Sequence, residues 1–305
     1  MIKLQSLMRR MKGKGMMNFE TFSAEIKNRL PGEIEKMLPG YYVKFGVTPK
    51  VNGVKESVRG GKSEDCVMRN IYFDDLYEEY LEHNDIGKTI SDIIFALGCE
   101  NFPVRKDEFI SLINDKERIK KLVSYFVINR EMNSELLENI PHRQFLDLAV
   151  VYKFSIYRDS ESVGKVIITN EMTKKWEMTE EELYSYARYN TERLCATTVK
   201  KISPDFMIIT NETAINGAVA IIDRVIIRSV AEDMGEDIYI VPSSVHDLIA
   251  LRSSSFSAPD IFPVIKHVND DVVNREDILS YNLYRYSLKD NSICIVNGNS
   301  ISENC

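Results

Sequence analysis

Apolar residues recur along this chain with two different periods, and the change of period outlines its elements. Between Asn18 and Met37 the apolar positions are Phe19, Phe22, Ile26, Leu30, Ile34 and Met37. That spacing predicts a helix, with Thr21 or Ser23 as its cap and Pro31-Gly32 as a local interruption. Residues 41–47 and 54–59 alternate as two strands around the turn signal Asn52-Gly53. A short strand is expected over 70–73, then a helix capped by Asp74 or Asp75 that runs to Tyr80. A second helix follows over 87–97, with Ile90, Ile93, Ile94 and Leu97 on one face. Helical periodicity continues over 109–113, 118–129 and 134–140.

After Pro141-His142-Arg143 the period shortens. Residues 145–156 read as a long strand, 158–164 as a polar turn and 165–169 as the returning strand. Thr179-Glu180-Glu181-Glu182 is a capping box that opens a helix to about Asn190. Residues 207–210 are a strand, 217–222 a strand or buried turn, and 225–234 a helix with Gly235 as its C-cap. Strands over 237–241 and 245–251 flank Pro242-Ser243-Ser244. Helical turns follow at 260–268 and from Asn274, then a strand over 283–288 and a polar tail. Hairpins with interspersed helices predict an α+β fold with antiparallel or mixed sheets. The expected divisions are a basic N-terminal extension over 1–16, an α+β region over 17–140, a second α+β domain over 141–288 and a tail over 289–305. Lys12-Gly13-Lys14-Gly15 ahead of Met16 and Met17 suggests that the native start is one of those methionines.

The pentapeptide Ile-Ile-Thr-Asn-Glu occurs twice, at Ile167–Glu171 and Ile208–Glu212. Each copy reads as a strand end closed by a turn. Asn170, Asn211, Asn216 and Gly217 suit such turns, because Asn and Gly tolerate positive φ. Their amides are also candidates for a ligand cradle.

Composition narrows the function classes. A content of 44% hydrophobic residues in 305 is that of a globular chain. A net charge of −7 disfavours general nucleic-acid binding. No stretch approaches the roughly 20 apolar residues of a membrane helix. The five cysteines are odd in number and widely spaced, and the four histidines are scattered. Neither set has metal-ligand or Cys-x-x-Cys spacing, which favours a reducing, cytoplasmic setting and implies no metal. No phosphate loop or dinucleotide fingerprint points to a cofactor.

The one polar cluster with catalytic potential is Pro242-Ser243-Ser244-Val245-His246. In extended backbone Ser244 and His246 share a face, as a nucleophile and base would, with Asp223 or Asp237 as the orienting carboxylate. No Gly-x-Ser-x-Gly elbow accompanies them, and a polar turn explains the same residues. His142 with Asp147 is a second candidate acid–base pair. The competing reading has His142 or Arg143 paired with a carboxylate that ties the structure together. Trp176 is expected to pack beneath its own helix.

Residues 141–152 (Pro-His-Arg-Gln-Phe-Leu-Asp-Leu-Ala-Val-Val-Tyr) carry a resemblance, supported by Trp176, Thr179–Tyr184, Asn216–Ala218, Tyr239–His246 and Tyr284–Tyr286. In this order they resemble a bacterial family known as domain of unknown function 5688, over about residues 17–286. The resemblance implies a protein of anaerobic gram-positive bacteria, often encoded near mobile elements, and brings no reaction with it. The leading expectation is therefore a non-enzymatic protein acting through a protein partner. The alternatives are a hydrolase or transferase at Ser243, Ser244 and His246, and a small-ligand-binding module lined by the Thr-Asn turns.

Overall fold

A computed structural model describes residues 15–62, 69–98, 106–158 and 161–296. The expected 1–16 extension therefore lies almost wholly outside the described residues. The chain is α+β, with three antiparallel sheets. It divides into two compact units, one ending at Ser111 and the other beginning at Leu112.

In the first unit, helix α1 (Phe19–Met37) buries Phe22, Ile26, Leu30 and Ile34. Asn18, rather than Thr21 or Ser23, caps it by accepting from the Thr21 amide at 2.8 Å. Pro31 does not interrupt the helix, because the buried stripe continues on both sides of it. Strands β1 (Tyr42–Lys50), β2 (Gly53–Gly61) and β3 (Arg69–Tyr72) form a meander. The first hairpin closes between Lys50 and Gly53, with Asn52 at φ +61°. Helix α2 (Phe73–His83) starts after Tyr72 with no side-chain cap, so Asp74 and Asp75 lie inside its first turn, where they favour the positive dipole end. Helix α3 (Ile86–Gly98) buries Ile90, Ile93, Ile94 and Leu97. These helices share one core with Val58 of the sheet.

Helix α4 (Lys106–Asn114) spans the division, and the second unit continues with α5 (Lys116–Leu122) and β4 (Val123–Asn129). The helix expected over 118–129 is thus half strand. Val123-Ser-Tyr-Phe-Val-Ile-Asn129 is buried at every position, so it shows no amphipathic period, and its β-branched and aromatic content decides for strand. The boundary expected at residue 141 falls inside this unit. β4 pairs along its whole length with β6, across that point in sequence.

The short helix α6 (Ser134–Leu137) leads to β5 (His142–Phe145), β6 (Leu148–Arg158) and β7 (Glu161–Ile167). β6 pairs with β4 on one side and with β5 and β7 in succession on the other. Helix α7 (Asn170–Trp176) follows, capped by Thr169. The predicted capping box at Thr179 opens α8 (Glu180–Leu194). Trp176 is buried, donates to the Ile113 carbonyl at 2.6 Å and meets Phe154 edge-on.

The largest sheet has the order β13-β12-β10-β11-β9-β8. It contains β8 (Thr197–Ser203), β9 (Phe206–Asn211), β10 (Ile238–Val241), β11 (Leu248–Arg252), β12 (Leu283–Ser287) and β13 (Ser292–Val296). β8 is an exposed edge and β13 lies in the expected polar tail; neither has a strong apolar alternation to announce it. A 3-10 turn at Gly217–Ile222 precedes α9 (Arg224–Met234), which Asp223 caps and Gly235 closes at φ +80°. Alternation along β10 splits the apolar side chains. Ile238 and Ile240 enter the main core, while Tyr239 and Val241 pack toward α10 (Ala258–Asp271).

Cys195 carries a free thiol, whereas Cys294 on β13 is disulfide-bonded. No described helix is long and apolar enough to cross a membrane. The described residues hold no cluster of metal-ligating side chains.

Candidate functional site

The segment joining β10 to β11 contains the Ser–His candidate. Val245 is tethered on both sides: its amide donates to the Asp277 carbonyl at 2.8 Å and its carbonyl accepts from Ala218 at 3.3 Å. Ser244 is buried, and its Oγ accepts from the backbone amide of His246 at 3.0 Å, which makes a serine turn. The His246 ring is held at both nitrogens. The Asn216 amide approaches Nδ1 at 3.2 Å, and Nε2 lies 3.1 Å from Asp277 Oδ1. A backbone N–H only donates, so Nδ1 accepts and the proton sits on Nε2, facing Asp277.

The carboxylate behind the histidine is thus Asp277. Asp223 is the cap of α9, and Asp237 accepts from Arg285 and from the Leu288 amide, both at 2.9 Å. No serine hydroxyl is hydrogen-bonded to the imidazole among the described residues. Ser243 lines a separate apolar groove beneath α10. The nitrogen that would take a proton from a nucleophile is engaged by backbone, and the arrangement is that of a tethered turn.

Gly217 is required by this packing. A Cβ there would stand 2.6 Å from the His246 carbonyl oxygen and from Thr210 Oγ1, and 2.7 Å from Thr210 Cα. Asn216 precedes it at φ +59°. Asn211 is saturated by its own loop: Oδ1 accepts from the amides of Thr213 and Ile215 at 3.2 Å, and Nδ2 donates to the Ile215 carbonyl at 2.9 Å. Asn170 has a different task. It begins α7, its amide donates to the Asn139 carbonyl at 3.0 Å, and Nδ2 donates to that of Glu138 at 3.1 Å. The two pentapeptides therefore end in unlike turns.

His142 and Asp147 are not paired. His142 Nδ1 contacts the Ile140 carbonyl, while Asp147 gathers Ser280 Oγ at 2.5 Å, Tyr284 Oη at 2.7 Å and Asn282 Nδ2 at 2.9 Å. Burial and the Asp147 charge push the Tyr284 phenol far above its usual range. Arg143 makes the ties: it grips Glu180 through Nε at 3.2 Å and Nη2 at 2.9 Å, and lies 4.0 Å from the centre of the Tyr184 ring. Tyr152 donates to the same Glu180.

A cavity of about 350 Å³ lies beside the 211–216 loop, with chemistry that the sequence did not suggest. Lys153 and Ser155 of β6, Lys165 of β7, and Cys195 at the end of α8 line it, together with Thr213 and Asn216 of the loop. The register explains the grouping. Ser124 lies opposite Lys153 and Ser155 opposite Lys165, so both lysines project from one face of the β4-β6-β7 sheet. Cys195 Sγ contacts Thr213 Oγ1 at 3.2 Å, closing the cavity's other wall. Lys153 is partly buried, with its ammonium 4.6 Å from the centre of the Phe126 ring. Burial and then the neighbouring Lys165 charge push the Lys153 amine down to about 8. Among the described residues neither lysine has a carboxylate within ion-pair distance, which is unusual for a partly buried cation. Only the strand register could have revealed this pair, since Lys153 and Lys165 sit in a hairpin read as architecture.

The model of a family of unknown function (DUF5688) matches residues 19–205 and 203–288. No curated protein and no solved structure matches the chain. With nearly all of its described residues covered by that match, the chain belongs to this family of unknown function.

Proposed function

We propose that this protein binds a small anionic ligand in the cavity between the β6–β7 hairpin and the 211–216 loop. The observation that carries this reading is the pair Lys153 and Lys165, converging on one cavity with no protein carboxylate to neutralise them among the described residues. A buried or half-buried cation is costly unless something pairs with it. A carboxylate or phosphate ligand would supply that charge, and the Ser155 hydroxyl is placed on the same face to donate to it. Asn211 shapes the wall and Asn216 lines it, which is how the turn residues enter the reading. Thermal unfolding with inorganic phosphate, sulfate and pyruvate tests it. At least one anion is expected to raise Tm in a saturable way, with the effect reduced by high salt and lost in a Lys153→Met, Lys165→Met double variant. Equal shifts in both proteins would refute the site.

A second reading, association with a protein partner, is supported by the apolar groove of about 290 Å³ beneath α10. Phe206, Ile249 and Leu251 form its floor, and the exposed Val264 and Phe256 its rim. A partner that copurifies with the wild type and is lost in Val264→Asp supports this reading; one retained by the variant does not use the groove.

A further inference from the structure

The two lysines differ in a way that assigns them separate tasks. Lys165 is exposed, on the short returning strand β7. Lys153 is partly buried in the middle of β6, with β4 on one side and β7 on the other. The register places Lys153 opposite Ile167 and Lys165 opposite Ser155, so the lysines are diagonal neighbours with Cβ atoms about 7 Å apart. That separation suits one ligand that meets both, through two groups a few bonds apart.

We infer that Lys153 is a nucleophilic amine that condenses with the carbonyl of a small aldehyde or ketone whose carboxylate or phosphate rests on Lys165. This rests on the anion-binding reading of the same cavity and names the ligand class. The Lys153 amine attacks the carbonyl carbon, and the π electron pair moves to the carbonyl oxygen, which takes a proton. The carbinolamine then loses that oxygen as water. The nitrogen gives up two hydrogens, the carbonyl its oxygen, and one C=N bond replaces the C=O. No oxidant or reductant is consumed.

Four features of the surroundings favour Lys153 as the nucleophile. A nearby second cation and a desolvated seat are the two devices that keep a lysine amine neutral and reactive. Both are present here, and they lower this amine to about 8, so a useful share is unprotonated near neutral pH. The Phe126 ring, 4.6 Å from Nζ, restricts the side chain and stabilises the cationic iminium that forms first. The Ser155 hydroxyl, on the same face of β6, makes no hydrogen bond to another described side chain and is free to donate to the carbonyl oxygen as charge develops there.

The test is borohydride trapping followed by peptide mapping, with pyruvate and glyoxylate as carboxylate probes and glycolaldehyde phosphate as the phosphate probe. A reduced adduct is expected on Lys153 at a probe concentration that leaves the exposed Lys200 and Lys201 unlabelled. Whichever probe reacts identifies the anionic group. Lys153→Arg keeps the charge and is expected to abolish the adduct, whereas Lys165→Met is expected to need roughly tenfold more probe, about what one lost ionic contact costs. Labelling spread evenly over surface lysines overturns the proposal, as does an adduct that survives Lys153→Arg and disappears in Cys195→Ser. The wild-type map decides the matter even if a variant fails to fold. If phosphate still raises Tm but no probe labels Lys153, the imine falls and the anion site stands. If Lys153 is labelled while no anion shifts Tm, the imine stands and the anion reading falls.

Discussion

Replacing Lys153 by methionine is expected to stabilise the protein, although it removes the residue at the centre of the cavity. Methionine keeps the apolar stem along β6 and deletes the ammonium. The size of the effect follows from the amine itself. Its ordinary value is 10.5 and the fold lowers it to about 8. At about 1.4 kcal/mol per pH unit, the gap corresponds to about 3 kcal/mol as an upper limit. Lys153 is partly exposed, the cavity is open to water and the Phe126 ring offsets part of the cost of the charge, which together bring the expected gain to about 1–2 kcal/mol at neutral pH. The sign also fixes the pH dependence. Between about pH 8 and about 10.5 the unfolded lysine still binds a proton that the folded one has released, so wild-type stability rises with pH through that window. Below about 8 both forms are protonated and the full penalty is felt. Lys153→Met lacks this rise, so its advantage is largest near pH 7 and shrinks toward pH 10. Urea unfolding followed by fluorescence reads the effect cleanly: Trp176 is the sole tryptophan, is buried, and reports on the second unit alone. A variant less stable than wild type at pH 7 would refute the reasoning, since it would mean that the ammonium is held by favourable partners.

Four further outcomes test other parts of the structure. Gly217→Ala forces a Cβ to within 2.6 Å of a backbone carbonyl oxygen and is expected to cost about 1–3 kcal/mol in urea unfolding, with Asn216→Gly close to neutral. Asp147→Ala strands Ser280, Asn282 and Tyr284 and is expected to cost about 3 kcal/mol, several times the effect of Asn282→Ala. Thr179→Ala removes the hydroxyl half of the capping box, in which Oγ1 accepts from the Glu182 amide, while the Glu182 carboxylate still accepts from the residue 179 amide, and is expected to cost about 1 kcal/mol by the same assay. His246→Ala is expected to lower Tm through the lost ties to Asn216 and Asp277 while leaving phosphate binding intact; selective loss of binding with Tm unchanged would place His246 in the ligand site instead.

Much of the fold was legible because local chemistry and tertiary demand agree there. The stripe from Phe22 to Ile34, the capping box at Thr179 and Gly235 at the end of α9 need only near neighbours to be read. The failures share a cause. β4 is buried on both faces and shows no period, while β8 and β13 are the two edges of their sheet, the first polar in composition and the second a short apolar run set in a polar tail. In each case the partner strand, which lies elsewhere in the sequence, decides the conformation. Pro31 shows the same logic in reverse, since a local breaker is overridden by burial on either side of it.

The candidate site divides along that line. Sequence alone determined that Asn211, Asn216 and Gly217 form a tight turn, that Trp176 packs inside, and that the polar stretch from Ser243 to His246 joins two strands. These follow from φ preferences, side-chain size and alternation, which are properties of short segments. Only the tertiary structure decided that Asp277 stands behind His246, that Asn170 and Asn211 do unlike work despite identical surroundings in sequence, and that Lys153 and Lys165 face one cavity with Cys195. Strand register and the return of distant loops set those distances, and neither is encoded in the spacing of the residues that meet.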